Sequence, residues 1–131
     1  MLVFTGSEKR FLEKNELARL ATSSASGVPH VVPVSYLFAE NAFLVAVDYG
    51  TKKYRNLQSN PRAALVVDVL RPNRGVLIEG HVEVIEKGPE FQTAYDIFRR
   101  KFSWVKAHPW KVGEAPFIKV KPLTKASWGF R

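Results

Sequence analysis

The segment DYGTKKYRNLQSNPR, residues 48–62, puts Lys52, Lys53 and Arg55 close together between two runs that read as strands. Asp48 to Thr51 leave the first strand. Thr51 to Ser59 then carry the pattern of a two-turn helix: Gly50 or Thr51 at its start, Tyr54 and Leu57 on one face, and Asn60 before Pro61 as its stop. A helix start has unpaired N–H groups and a partial positive charge, so lysines sit poorly there unless an anion compensates. A phosphate docked at this point would meet the Thr51 hydroxyl, free amides and one or two ammonium groups. The other reading of the same residues is a solvated polar turn whose lysines extend into water, with Arg55 paired to Asp48 or Asp68.

Two further places have residue types that could act on a ligand. In His30 to Val34, Val31, Val32 and Val34 favour a strand, whereas Pro33 lacks the N–H that a ladder needs. That puts the strand at an edge or a bulge, where free backbone groups can face a planar ring; a core strand with one edge proline has the same composition. His30 reads as a turn histidine or as a donor to a phosphate. Trp128, between Ser127 and Gly129 at the end of the last strand, reads as a lid over a flat ligand, a subunit contact or core filling.

Several chemistries are excluded or disfavoured. There is no cysteine, which removes disulfides, thiolate metal sites and a cysteine nucleophile. His30, His81 and His108 have no ligand spacing, so no metal is expected. G-x-S-x-G, the Walker loop, H-E-x-x-H and G-x-G-x-x-G are all absent. If the chain is an enzyme, a bound cofactor performs the difficult step.

The elements that must position these residues follow from local pattern. Thr5 and Glu8 have the spacing of a capping box, with Phe11 and Leu12 giving a short helix its apolar side. LARLATSSASGVPHVVPVSYLF reads as two strands joined by a turn at Ala25 to Pro29, and AEN separates it from AFLVAVDY in a second hairpin. RAALVVDVL and VLIEGHVEVIE are the next strands, about the turn RPNRG. In the latter Val76, Ile78, Gly80, Val82 and Val84 alternate with the opposite face, and Gly80 suggests a bulge. Gly88 to Phe102 has Phe91, Tyr95, Phe98 and Phe102 at helical spacing, a core face rather than a stacking platform. SWVKAHPWKVGEAP reads as a loop, and FIKVKPLTKASWGF as a final pair of strands broken near Pro122. This order fits a closed or partly closed antiparallel barrel with helical decoration, a single domain over residues 1–131.

The formal charge of +8 is unevenly placed: residues 87–131 hold ten Lys/Arg against three Asp/Glu, a net of +7. Such a surface could attract a polyanion, yet no zinc-finger spacing, ribonucleoprotein aromatics or helix-turn-helix accompanies it, which disfavours nucleic acid as a partner. No apolar run approaches a membrane span and the first fourteen residues are too charged for a secretion signal, so the cytoplasm is the default location.

Three segments in order, ARLATSSASGVPHVVPVSYLF, FLVAVDYGTKKYRNLQSNPRAALVVD and GVLIEGHVEVIE, resemble the pyridoxamine 5'-phosphate oxidase-like superfamily, the flavin-binding split β-barrels, over residues 11–87. The resemblance implies a mainly β, antiparallel split β-barrel with short flanking helices. It also implies a homodimer with two identical cofactor sites in the cleft between subunits, and an oxidoreductase acting on a small molecule. The cofactor would be FMN, with the deazaflavin coenzyme as the alternative. By the same resemblance His30, Val31, Val32, Pro33 and Val34 form the strand along the isoalloxazine and ribityl chain, with Val32 to Val34 nearest the ring. Val47 and Asp48 belong to the neighbouring strand. Thr51, Lys52 and Lys53 hold the phosphate, Asn56 lies one turn on, and Trp128 approaches from the partner subunit. The C-terminal arginine and histidine motifs of the pyridoxamine phosphate oxidases themselves have no counterpart in KASWGFR, so vitamin B6 oxidation is not expected. A non-catalytic polyanion or nucleic-acid binder is the reading from a different class.

Overall fold

A computed structural model describes residues 2–130. Its first element, α1 (Gly6–Lys14), starts at the expected capping box: the Thr5 hydroxyl accepts from the Glu8 amide, and the Glu8 carboxylate accepts from the Thr5 amide. The strands β1 (Leu17–Ser23) and β2 (Pro29–Ser35) form a hairpin, as do β3 (Leu37–Ala39) and β4 (Ala42–Ala46). Then come α2 (Lys52–Ser59), β5 (Arg62–Val69), β6 (Arg74–Ile85), α3 (Gly88–Lys101), the short α4 (Trp104–Ala107) and β7 (Phe117–Trp128).

All seven strands join one antiparallel sheet in the order β2-β1-β5-β6-β7-β4-β3. The sheet curls until β2 lies near β4, but no ladder joins its two edges, which makes it a split barrel. β2, the strand with Pro33, is one of those edges, as the missing N–H requires. The barrel interior is filled by one face of each strand; Phe4, Tyr36, Phe38 and Phe43 meet there with ring centroids 5.0–6.4 Å apart. A second cluster forms outside, where Phe91, Ala94 and Phe98 of α3 pack on Leu37, Ile85 and Phe117.

The structure differs from expectation in three local features. β7 is one continuous strand rather than a broken pair. Pro122 sits opposite Gly80, Leu123 is the extra residue of a bulge, and a Cβ on Gly80 would strike the Lys121 carbonyl, so the proline falls where the ladder is already interrupted. The burial pattern of β6 departs from its alternation at the end, although the faces do not: Val84 stays on the barrel side opposite Ile118 yet is part-exposed, and Ile85 on the outer side is buried because the α3 cluster covers it. Within SWVKAHPWKVGEAP, residues Trp104–Ala107 form α4 instead of continuing the loop, anchored by Val105.

Candidate functional site

The helix start at α2 is built as its residues suggest. Thr51 is the N-cap; its hydroxyl donates to the Asp48 carbonyl at 2.7 Å and accepts weakly from the Tyr54 amide at 3.4 Å. Lys52 and Lys53 occupy the first two helical positions, whose amides have no intrahelical acceptor, and the first turn holds no acidic residue. Neither lysine is in an ion pair among the described residues. Lys52 is exposed, whereas Lys53 is half-buried. Arg55 bonds neither Asp48 nor Asp68: its guanidinium donates to the Gly50 carbonyl at 2.9 Å, and Asp68 takes Arg19 instead. The basic cluster therefore keeps two free cations and ties the third back onto the loop.

Lys53 lines a cavity of about 360 Å³ together with Val47 and Asp48 from the chain leaving β4. Its other walls, which sequence reasoning missed, are Trp104 and His108 of the α4 region, and Trp110, Glu114 and Ala115 after it. The two indoles stack, 6.0 Å between centroids and 12° between planes, and Trp110 is held from behind by Tyr95 and Phe117. One oxygen of the Glu114 carboxylate accepts the Lys111 amide. The only signal in the sequence for this wall was an excess of tryptophan over what one small core needs. Beside it, Tyr49 and Tyr54 meet edge to face, and Tyr49 donates to the Glu86 carboxylate at 3.1 Å. Burial, together with the Glu86 charge, holds both phenols above their usual range, so they remain neutral donors.

On the other side of α2, Asn56 is buried and donates to the Thr22 hydroxyl on β1 at 3.1 Å. Thr22 pairs across the ladder with His30, so the two side chains are neighbours on one face. His30, Val32 and Val34 point toward the barrel interior, while Val31 and Pro33 point to the outer face, where Val31 is 65% exposed. No single ligand face therefore includes the side chains of all five residues; what they share is the free backbone edge of β2.

Trp128 lies apart from this assembly within the chain. It stands on the outer face with its ring over Gly75, and its indole N–H donates to Asn73 at 3.3 Å. Phe117, at the other end of β7, pairs with Ala46 next to the cavity, which puts Trp128 about 35 Å further along the strand.

Whether these residues fit a nucleotide-like cofactor is tested by unmet hydrogen bonds. Among the described residues, two buried side-chain nitrogens have no partner, His30 Nδ1 and Trp110 Nε1. One belongs to β2 and the other to the cavity wall. Such orphans cost roughly 1–3 kcal/mol each, and a ligand with polar atoms on both sides of α2 would remove that cost. The donor set, with amides and ammonium groups at the helix start, suits a phosphate between them.

The sequence profile of the pyridoxamine 5'-phosphate oxidase family matches residues 4–128. A 5a,11a-dehydrotetracycline/5a,11a-dehydrooxytetracycline reductase from Streptomyces rimosus is 35% identical over 94 residues, 65% of this chain and 66% of the relative's length. Among solved structures, the heme storage protein HutZ of Vibrio cholerae superposes with a TM-score of 0.82 at 16% identity, covering 93% of this chain and 92% of its own. A FAD-binding protein from Mesorhizobium loti gives 0.75 at 20% identity, covering 95% and 94%. At such identities the structures speak for the fold alone, and one fold carrying heme in one case and FAD in another does not choose a ligand.

Proposed function

The chain belongs to the pyridoxamine 5'-phosphate oxidase family, and on that premise we propose that it is an oxidoreductase that uses a flavin-type cofactor, FMN in the first instance, to reduce or oxidise a small molecule. The observation that carries this reading is the start of α2: two unpaired lysines on a helix with free amides and no first-turn acid, one of them half-buried on a cavity with Val47 and Asp48. The 35%-identical reductase supports the reaction class, and its substrate is not carried over to this chain. When bound, a flavin supplies hydride or electron transfer; the protein supplies the pose and excludes water. In this reading Lys53 and the amides of Lys52 and Lys53 hold the phosphate, Asn56 and His30 fix the middle of the cofactor, and the backbone edge of β2 faces the ring.

The second half of the proposal is a homodimer in which each protomer completes the other's site. The outer face of β2, β1, β5, β6 and β7 supports it: Val31, Ala21, Ala64, Glu79 and Thr124 run across it in one row, and a depression of about 480 Å³ lies in its middle. Pro33 and Trp128 stand on this same face. A second copy laid on it would bring one protomer's Trp128 and the other's β2 into one cleft, which a single chain does not do.

Stripped protein titrated with FMN should quench flavin fluorescence at one cofactor per chain, and light scattering should report twice the 14.8 kDa chain mass. No binding of FMN or of the deazaflavin coenzyme would end the oxidoreductase reading. Between the two cofactors, the one with the acidic tail should lose more affinity as salt rises. Steeply salt-dependent binding to DNA in the absence of any flavin binding would instead favour a polyanion binder.

A further inference from the structure

The turn between β5 and β6 holds Trp128 more firmly than the fold requires. Trp128 pairs with Gly75 across the β6–β7 ladder, and its indole lies so close over that glycine that a Cβ there would overlap the six-membered ring. Gly75 is buried for this reason, although it is only the second residue of β6. The indole N–H is tied to the Asn73 side chain at 3.3 Å. The chain beyond is fixed as well. Gly129 takes a φ of 82° and packs on the Asn73 carbonyl so closely that a Cβ would collide, and Arg74 Nε donates to the Gly129 carbonyl at 2.9 Å. Phe130 then turns back against Phe11 of α1, 5.3 Å between centroids, with the Arg74 guanidinium over its ring.

What is held so firmly is an exposed side chain, for Trp128 remains 39% accessible. Ordering a large surface side chain forfeits its conformational freedom, and the return comes when a partner meets a face already in place. With its N–H given to Asn73, the indole offers outward a flat apolar face and no donor. We propose that Gly75 and Asn73 are positioning residues that act through Trp128: they hold the indole as a preformed contact against a second copy of this chain, on the β2 side of that copy's cofactor cleft. The inference rests on the homodimer reading above. A second copy is the occupant that the outer face favours, because Trp128 and Leu77 share that face with Ala21 and Val31, and a two-fold axis between them sets each protomer's indole opposite the other's β2. Between these ends the face carries one charge of each sign for a partner: among the described residues Arg62 is in no ion pair, and Glu79 accepts only from Thr124.

The experiment uses the full-length protein with FMN as the probe, in wild type, W128A, G75A, N73A and G75A/W128A. It reads dimer dissociation on dilution by light scattering, FMN affinity by flavin fluorescence, and thermal melts. W128A should weaken the dimer about tenfold or more, the scale of a tryptophan anchor in an interface. G75A keeps the indole but displaces it, and should weaken both the dimer and FMN nearly as much. The double variant decides. Once Trp128 is gone the added methyl at position 75 has room, so G75A/W128A should be no worse than W128A, whereas two residues that served the fold separately would lose additively. N73A frees only the indole N–H; it should give a smaller loss in the same direction with an unchanged melt, and it carries the test if G75A does not fold. Co-expressed with K53A, either W128A or G75A should restore wild-type FMN affinity to about a quarter of the sites, the share in which random pairing unites an intact lysine with a partner's seated indole. A dimer that G75A and W128A leave unchanged overturns the seat and leaves the flavin reading intact, and so does an additive loss in the double variant. No recovery in the mixed dimers overturns the placement at the partner's cleft. A wild type that stays monomeric overturns the homodimer and the seat with it, while a dimer that binds no FMN yet shows the coupling overturns the flavin reading and leaves the seat standing.

Discussion

The barrel interior and the cleft around the start of α2 are made from the same kinds of residues and put to opposite use. Where α1 closes over the barrel the buried polar groups have found partners: Glu8 accepts from Lys125 Nζ at 2.7 Å, from the Ser127 hydroxyl and from the Thr5 amide, and the Tyr36 hydroxyl donates to the Leu12 carbonyl at 2.6 Å. Its aromatic rings are sealed against one another. Around α2 the aromatic Trp104 is left partly in water, two nitrogens are buried without partners and two lysines face a helix start that disfavours them. A fold at its own optimum would not leave these groups unmet, so the contrast marks where the molecule expects something else to complete it.

The comparison breaks first if the two regions respond alike to truncation. Phe43 is fully buried and touches Phe4, Tyr36 and Phe38. F43A should therefore cost about 3–5 kcal/mol of stability by denaturant titration, the range for a large aromatic removed from a core. K53A should leave stability within about 0.5 kcal/mol of wild type. A large destabilisation by K53A would mean that the helix start is part of the structural framework and not a site.

Next in size is the clasp that closes the barrel. Burial pushes the Glu8 carboxyl up, but hydrogen bonds from Lys125, Ser127 and the Thr5 backbone, with the Lys125 charge, outweigh it and hold the group below its ordinary value of 4.5. A carboxylate whose folded value is depressed stabilises the fold fully above its unfolded value and loses that contribution as pH falls through the folded one. E8Q should cost roughly 2 kcal/mol near neutral pH, the scale of hydrogen bonds to a charged group. Its stability should also fall less than that of wild type as the solution is acidified below pH 4.5. Parallel acid profiles for the two proteins would show that Glu8 carries no pH-dependent stability.

These two regions were not equally legible. The capping box, the hairpins, the edge position of Pro33, the bulge at Gly80 and the N-cap at Thr51 depend on neighbours in the chain or on the period of one strand, and local pattern suffices for them. The course of β7 through Pro122 does not, because it depends on a bulge facing a glycine forty residues earlier in the chain. Ile85 is buried and Val84 part-exposed because α3 covers the outer face at that point, which no periodicity within β6 encodes. The cavity wall of Trp104, His108, Trp110 and Glu114 has only the pattern of a loop in sequence for the same reason: it is assembled by α3 and β7 holding a short segment over the end of β4. Lys52 and Lys53 look equivalent in sequence, and only the packing of α2 separates the exposed one from the half-buried one.

That separation sets the next expectation. K53A should weaken FMN by about 1–3 kcal/mol, as for a lost charge-assisted hydrogen bond, while riboflavin, which has no phosphate, binds as before. K52A should do less, and K106A, in the basic C-terminal third and outside the cavity, least of all. Equal losses of FMN and riboflavin affinity in K53A would make TKKYRN a structural turn and move the phosphate elsewhere.

The smallest effect sharpens the comparison most, because it asks what a single hydroxyl is for. The Thr51 proton is already given to the Asp48 carbonyl at 2.7 Å, and phosphate oxygens at neutral pH only accept, so Thr51 has no proton left for a phosphate unless that bond breaks. Its work is then in shaping the turn that presents the Lys52 and Lys53 amides. T51A should cost about 1 kcal/mol of stability, as for a lost helix cap, and T51S, which keeps the hydroxyl, close to nothing. FMN affinity in T51A should follow the loosened helix start, a smaller loss than in K53A and largely restored in T51S. The contrary result is as clear. If T51A discriminates against FMN relative to riboflavin as strongly as K53A does, while its melting temperature is unchanged, the hydroxyl leaves Asp48 and reaches the phosphate itself, and the helix start rearranges on binding.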